Sequence, residues 1–146
     1  MENRLIIVDT DVIIDFFRDI SPSADVLSEL IPRGIAGLTA ISVFELYAGV
    51  EGVKRLKQIE TLIQELIVLP LNTIEAAMAG RIYTQLKARG KLVGTQDILI
   101  AGICIATDLP LYTKNIAHFS QIKGLRLLSA SEILAPERGS PRSFTP

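Results

Sequence analysis

Histidine and cysteine are almost missing from this chain: His118 and Cys104 are the only residues of their kinds. With one cysteine no intrachain disulfide can form, which fits a reducing cytoplasm. With one histidine, a metal-free ribonuclease using two histidines as acid and base is excluded. The sulfur and nitrogen ligands that zinc prefers are also not on hand. Positive charge is not in excess. The formal net charge is −1 and the pI about 5.8, so bulk charge does not draw this protein onto nucleic acid. A nucleic-acid role needs a local basic patch; the run Lys87, Arg89 and Lys91 is read as a solvated helix end. Long apolar runs are missing as well. "ILIAGICIA" at 98–106 is far short of the ~20 residues of a membrane helix. "MENRLIIVD" is too short an apolar stretch for a secretory leader, and Asp9 closes it. These absences together lead us to expect a soluble cytoplasmic protein without membrane contact. There is no Walker-type phosphate loop, which argues against a nucleotide hydrolase. No internal repeat occurs, and no low-complexity block precedes the tail.

What is present is a globular composition: 146 residues, 49% hydrophobic and 21% charged, enough for one domain with a buried core. Apolar runs at 5–8, 35–40, 67–71, 109–113 and 125–129 read as five strands. Between them, 11–17, 23–31, 41–50, 53–66, 73–89 and 95–107 read as helices, the fifth closed by Gly90. Strands alternating with helices predict an α/β fold, a central parallel sheet of about five strands with helices on both faces. The domain is expected over 1–134. From Ala135 onward "APERGSPRSFTP" is expected to be a mobile tail.

In such sheets ligands bind outside the carboxyl ends of the strands, where strand order reverses. Asp9 and Asp11 fall there, just past the first strand. Glu45 is the one charge in 41–50, a helix apolar nearly all round and so expected to be buried. Asp97 is the one charge between Leu92 and Thr107, in the first turn of a helix that Thr95 is placed to cap. Each acid has a structural explanation by itself. Asp9 and Asp11 suit a helix N-cap, Asp97 suits the helix dipole, and Glu45 could pair with a distant base or reach solvent past Ser42. Together they point to one crevice. Carboxylates gathered there repel and raise one another's pKa, a conflict that a divalent cation removes. Hard oxygen ligands suit Mg²⁺ or Mn²⁺, and water made more acidic by such an ion can attack a phosphodiester.

These residues resemble the PIN-domain nucleases and, in size and layout, the VapC-type toxins of toxin–antitoxin pairs. "VDTDVIIDF" is similar to the family's first motif, with Asp11 where an Asn is usual. "SVFELYAGV" is similar to Ser-x-x-Glu-Leu-x-x-Gly and begins at Ser42. "GTQDILIAGICIATDLPLYTKN" supplies the third acid, then an apolar helix and a strand ending in Thr-x-Asn. The resemblance implies a metal-dependent ribonuclease in which Asp9, Glu45 and Asp97 hold one or two Mg²⁺ ions, with Mn²⁺ able to substitute. It implies that Glu45 also orients the attacking water. Thr10, Asp11, Ser42 and Asn115 fall behind these ligands or on the substrate side. It further implies an RNA substrate, a homodimer and a small cognate antitoxin. Where the family often carries a fourth acid, this chain has His118, and no Asp or Glu occurs from Leu109 to Ser131. His118 is read as a structural or surface residue and not as a ligand.

Other readings fit less well. A phosphatase of the haloacid dehalogenase type shares the Asp-x-Asp spacing. It expects Thr or Ser two residues past the second Asp, where Ile13 stands, and it leaves Glu45 unexplained. A PIN-like module that binds RNA or an antitoxin without cutting remains the alternative from another functional class. A mean hydropathy of +0.38 points to apolar surface that meets a partner.

Overall fold

In the computed structural model, which describes residues 4–135, the first apolar run forms β1 (Ile6–Val8) and the chain turns at once into α1 (Thr10–Phe17). Then follow α2 (Ser23–Leu30), β2 (Ala36–Thr39), α3 (Ala40–Gly49), α4 (Val53–Gln64) and β3 (Ile67–Leu69). The second half holds α5 (Thr73–Ala88), α6 (Thr95–Thr107), β4 (Leu111–Tyr112), α7 (Ile116–Phe119) and α8 (Ala130–Leu134). No helix among the described residues is long and apolar enough to cross a membrane.

The sheet has four parallel strands in the order β3-β2-β1-β4. The chain lays β2 and β3 on one side of β1 and returns with β4 on the other, so strand order reverses between β1 and β4. The period-two alternation of strands sorts the two cores. Val8 and Tyr112 face one core, with Val12, Leu27, Leu38, Leu46 and Ile59 of the helices and strand on that side. Ile7 and Leu111 face the other, built from α5, α6 and α7 through Ile82, Leu86, Ala101 and Phe119.

The expected fifth strand is not formed. Residues 125–129 give only a single parallel bridge, Leu127 to Leu111. Leu111 takes both bonds of that bridge, donating to Arg126 O and accepting from Leu128 N. Pro110 has no N–H to extend the ladder. Past Tyr112 the backbone donors of Lys114 and Asn115 go to side chains, Asp11 Oδ2 and Thr113 Oγ1. The tail expected from 135 lies outside the described residues from 136 onward.

Two helix ends turned out differently from each other. Gly90 takes the left-handed φ of +65° just past α5, and Lys91 N bonds back to Leu86 O at 2.8 Å, as a glycine stop requires. At α6 the N-cap is Gly94 and not Thr95, which lies inside the first turn. The helix Ala40–Gly49 is also not buried all round. It buries Ser42 and Leu46, whereas Phe44 is 61% exposed and Tyr47, Ala48 and Gly49 face solvent. One face packs on the neighbouring elements; nothing among the described residues covers the other.

The helix that carries Asp97 is held very close to α5. A Cβ built on Gly102 of α6 would lie 2.8 Å from Ala79 Cβ, and 2.9 Å from both Ala79 N and Glu75 O. Two of these are backbone atoms of α5 and cannot rotate aside. Gly102→Ala gains up to about 1 kcal/mol in helix propensity. It should still lower stability by roughly 1–3 kcal/mol through overpacking. Urea unfolding checks this; a midpoint equal to or above wild type would remove the close approach from the account.

Candidate functional site

Asp9 follows β1 in extended geometry (φ −79°, ψ 163°), so its side chain falls on the face of Ile7, toward α6. Thr113 stands in the same relation to Leu111 on β4. The two meet: Thr113 Oγ1 donates to Asp9 Oδ2 at 2.7 Å, and Thr10 N donates to Asp9 Oδ1 at 2.8 Å. Asp9 is the N-cap residue of α1. Its carboxylate nevertheless serves the first N–H of the helix and a neighbouring strand, and not the N–H groups deeper in the first turn.

Thr10 links Asp9 to Glu45. Its hydroxyl donates to Glu45 Oε1 at 2.6 Å and lies 2.8 Å from Ser42 Oγ. The start of α3 is set by Thr39, the last residue of β2, whose Oγ1 accepts from Ser42 N at 3.2 Å. Ser42 and Glu45 are one helical turn apart and so share a face toward Thr10. Glu45 is half-buried and has no basic partner within ion-pair distance among the described residues. The pairing with a distant base is therefore not what holds it.

Asp97 lies in the first turn of α6 and reaches away from its own helix. Its Oδ2 is 3.4 Å from Asn115 Nδ2 and 3.1 Å from His118 Nδ1, and those two nitrogens are 2.8 Å apart. His118 Nδ1 either accepts from Asn115 or donates to Asp97; one ring nitrogen cannot do both. His118 thus sits within the network, not apart from it. Asp11 turns to the other side, where its Oδ2 accepts from Lys114 N at 3.2 Å. The Lys114 ammonium pairs with buried Asp15 at 2.7 Å, one turn further along α1.

The structure thus gathers Asp9, Thr10, Asp11, Ser42, Glu45, Asp97, Asn115 and His118 at the carboxyl rim, at the point where strand order reverses. The residue that sequence reasoning passed over is Thr113. It was visible only as the first letter of Thr-x-Asn, and its contact with Asp9 spans 104 residues of chain. Lys114 was missed for the same reason.

Charge at this rim is unbalanced. Asp9 is only 6% exposed, and burial, then Asp11, then Asp97 push its carboxyl up to about 7 against the lowering effect of its two hydrogen bonds. Asp11 is pushed up by burial too, and its Oδ1 is buried with no hydrogen-bond partner. A buried carboxylate without a cation and an orphaned carboxylate oxygen are what a hard divalent ion satisfies. No three Asp, Glu, His or Cys side chains among the described residues converge closely enough to enclose an ion by themselves. That suits Mg²⁺, which binds through one or two carboxylates and keeps several waters. The pKa of Asp9 is raised on folding, so its protonated form favours the fold. That contribution is complete below 3.8 and is lost as pH rises through about 7. Metal-free protein should therefore lose stability over this window. Asp9→Asn should flatten the loss, and Mg²⁺ at alkaline pH should restore what was lost. Thermal melts against pH check it; an unchanged pH slope in Asp9→Asn would count against this assignment.

Comparison with known proteins agrees with the geometry. The PIN domain family model matches residues 6–125. Ribonuclease VapC1 of Methanocaldococcus jannaschii is 34% identical over 129 residues, 86% of this chain and 88% of that protein. Ribonuclease VapC10 of Mycobacterium tuberculosis is 28% identical, over 84% of this chain and 91% of that one. Among solved structures, DNA-bound VapBC from Salmonella typhimurium superposes with a TM-score of 0.77 at 24% identity, over 87% of this chain and 98% of that one. With the family model spanning both halves of the sheet and the acids of all three motifs at one rim, this chain belongs to the PIN domain family and, within it, to the VapC proteins.

Proposed function

We propose that this chain is a metal-dependent endoribonuclease, the toxin of a toxin–antitoxin pair, that hydrolyses RNA phosphodiesters with water as nucleophile. The observation that carries the proposal is the buried Asp9 at the strand-order reversal, with no ion-pair partner among the described residues and with Asp11 and Asp97 adding to its negative field. The relatives named ribonuclease support the same reading. Asp9 and Asp97 would hold Mg²⁺ or Mn²⁺ with Glu45 beside them, and the ion would supply acidified water and stabilisation of charge on the phosphate. Glu45 orients the water. Its Oε1 is fixed by Thr10, and Oε2 has no hydrogen-bond partner among the described residues. Ser42 and Thr39 hold Thr10 and α3 in register, and Asn115 holds Asp97. The unit that performs this is residues 1–134.

A second reading, a module that binds RNA or an antitoxin without cutting, draws on the spread of the acids, which do not form a closed cage. One assay separates the two. Purified protein should cleave RNA with Mg²⁺ or Mn²⁺, stop with EDTA, and leave 5′-phosphate and 3′-hydroxyl ends. Asp97→Asn and Glu45→Gln should each lose at least about 100-fold in rate. Their melting temperatures should stay at or above that of the wild type, since each removes a charge from a repelling set. Ends carrying 2′,3′-cyclic phosphate would rule out water as nucleophile. Melting temperatures that fall sharply would make these acids structural.

The proposal includes a homodimer and a small protein partner. A solved toxin–antitoxin complex from Klebsiella pneumoniae, similar in fold with a TM-score of 0.70, supports the protein partner. In this chain Phe44, Tyr47, Val53 and Ile74 are large apolar side chains left in solvent. Light scattering at micromolar concentration should give twice the chain mass, and a co-encoded small protein should bind and stop cleavage. A monomer that ignores such a protein would sink both contacts.

A further inference from the structure

Glu45 borders two spaces. On one side is the acid rim. On the other is a small pocket of about 150 Å³ between α1, α3 and α4. Its apolar lining comes from Ile14, Leu46 and Ile59, and its charged lining from Arg18, Arg55 and Glu45. Glu45 is the one acid in this lining; Thr10 donates to its Oε1, and it sets a single negative charge against the two guanidinium groups.

Arg4, Arg33 and Arg126 each lie within ion-pair distance of a carboxylate. The other four of the seven described arginines, Arg18, Arg55, Arg81 and Arg89, pair with no carboxylate among the described residues, and of these Arg81 and Arg89 hydrogen-bond to Met78 Sδ and Gln121 O. Arg55 lies over the ring of Phe17, its guanidinium carbon 4.8 Å from the ring centroid, within cation–π distance. Its Nη1 is buried and bonds to nothing. A buried charged donor left unbonded is costly, and here it borders a space wide enough for an anion. A guanidinium whose donors are not taken by a carboxylate can bind two oxygens of a phosphate side by side.

We propose that Arg55, with Arg18 across the pocket, is a phosphate subsite that grips an RNA phosphodiester neighbouring the one that is cut. The inference rests on the ribonuclease reading above. It names where the strand leaves the acid rim: past Glu45 and along α1, whose run from Thr10 to Arg18 covers about 12 Å. A phosphate of the strand is favoured over the carboxylate of a protein partner because Glu45, at the cutting centre, lines this same pocket. The strand bound at one side of Glu45 is already within reach of the other.

The test uses the full chain carrying Asp97→Asn, which binds RNA without cutting it, at fixed Mg²⁺. Binding of a labelled single-stranded RNA is followed by fluorescence anisotropy over a range of salt. Arg55→Gln should weaken binding about tenfold, the loss of one charge-assisted contact. It should also flatten the slope of log affinity against log salt by about 0.7, the signature of one phosphate contact given up. Arg55→Lys should keep the slope and lose part of the affinity, because it keeps the charge and not the fork. Arg33→Gln, just ahead of β2 at the amino ends of the strands and so opposite the acid rim, should change neither. An Arg55→Gln protein with the parent's affinity and slope overturns the subsite. So does a loss of affinity at unchanged slope, since that is packing over Phe17 alone. Intact RNA binding with loss of a co-encoded partner also overturns it, by making the pocket a protein interface. If the unmutated protein cleaves RNA, any of these outcomes removes the subsite and leaves the ribonuclease reading standing. If it neither cleaves nor binds RNA, both fall together.

Discussion

The bond from Thr113 Oγ1 to Asp9 Oδ2 ties together the ends of two strands that lie 104 residues apart in the chain. Everything at the rim takes its place from that contact. The same hydroxyl oxygen accepts from Asn115 N at 2.9 Å, which turns the chain after β4 so that Asn115 and His118 come to face Asp97. On the other side of Asp9, Thr10 carries the connection to Glu45. A single buried carboxylate is thus the hinge between the acid from α3 and the acid from α6. The sheet supplies the reason that it stands there: β1 and β4 are neighbours because strand order reverses between them, and a reversal opens a crevice at the carboxyl ends.

Magnitudes decide what that carboxylate is for. Two hydrogen bonds to an ionised acid each stabilise it by roughly 1.5–3 kcal/mol. If they fully offset burial, the acid would titrate near its ordinary value. It is instead pushed up to about 7, with burial the largest cause and the charges of Asp11 and Asp97 adding to it. The bonds therefore orient Asp9 without satisfying its charge. Lys114 is one candidate to relieve the rim, but its ammonium is taken by Asp15 and only its backbone N–H reaches Asp11. The negative potential is left for something from outside the chain.

Much of this was readable in the sequence, and the parts that were not share a cause. Asp9 after an apolar run, Glu45 alone in an apolar helix and Asp97 alone in another were each odd enough to be noticed. A glycine at position 90 announced the end of α5 because only a backbone stop explains it there. Thr113 carried no such oddity. A threonine at a strand end is ordinary, and only the partner across the sheet gives it meaning. The unformed fifth strand failed for a related reason: 125–129 has the right composition, but β4 offers it one residue of free ladder before turning toward the site. The exposure of Phe44 and Tyr47 was missed because apolar content was taken as burial within one chain. Burial against a second chain satisfies the same composition equally well.

The distribution of charge resolves an apparent contradiction in the proposed activity. A net charge of −1 gives no general attraction for RNA, and an acid rim repels a phosphodiester outright. A strand approaching Asp9, Asp11 and Asp97 meets a field that only a bound cation reverses. A strand approaching from beyond Glu45 meets two guanidinium groups set against the single negative charge of Glu45. Glu45 lies on the boundary between these regions. The polarity of the crevice then does two things at once. Under the proposed activity, it makes binding at the cutting centre conditional on the metal. It also holds the neighbouring stretch of strand by charges that need no metal, so the backbone is positioned before the reacting phosphate is. In a protein whose surface is otherwise neutral on average, that local arrangement has to do the work that bulk basic charge performs elsewhere.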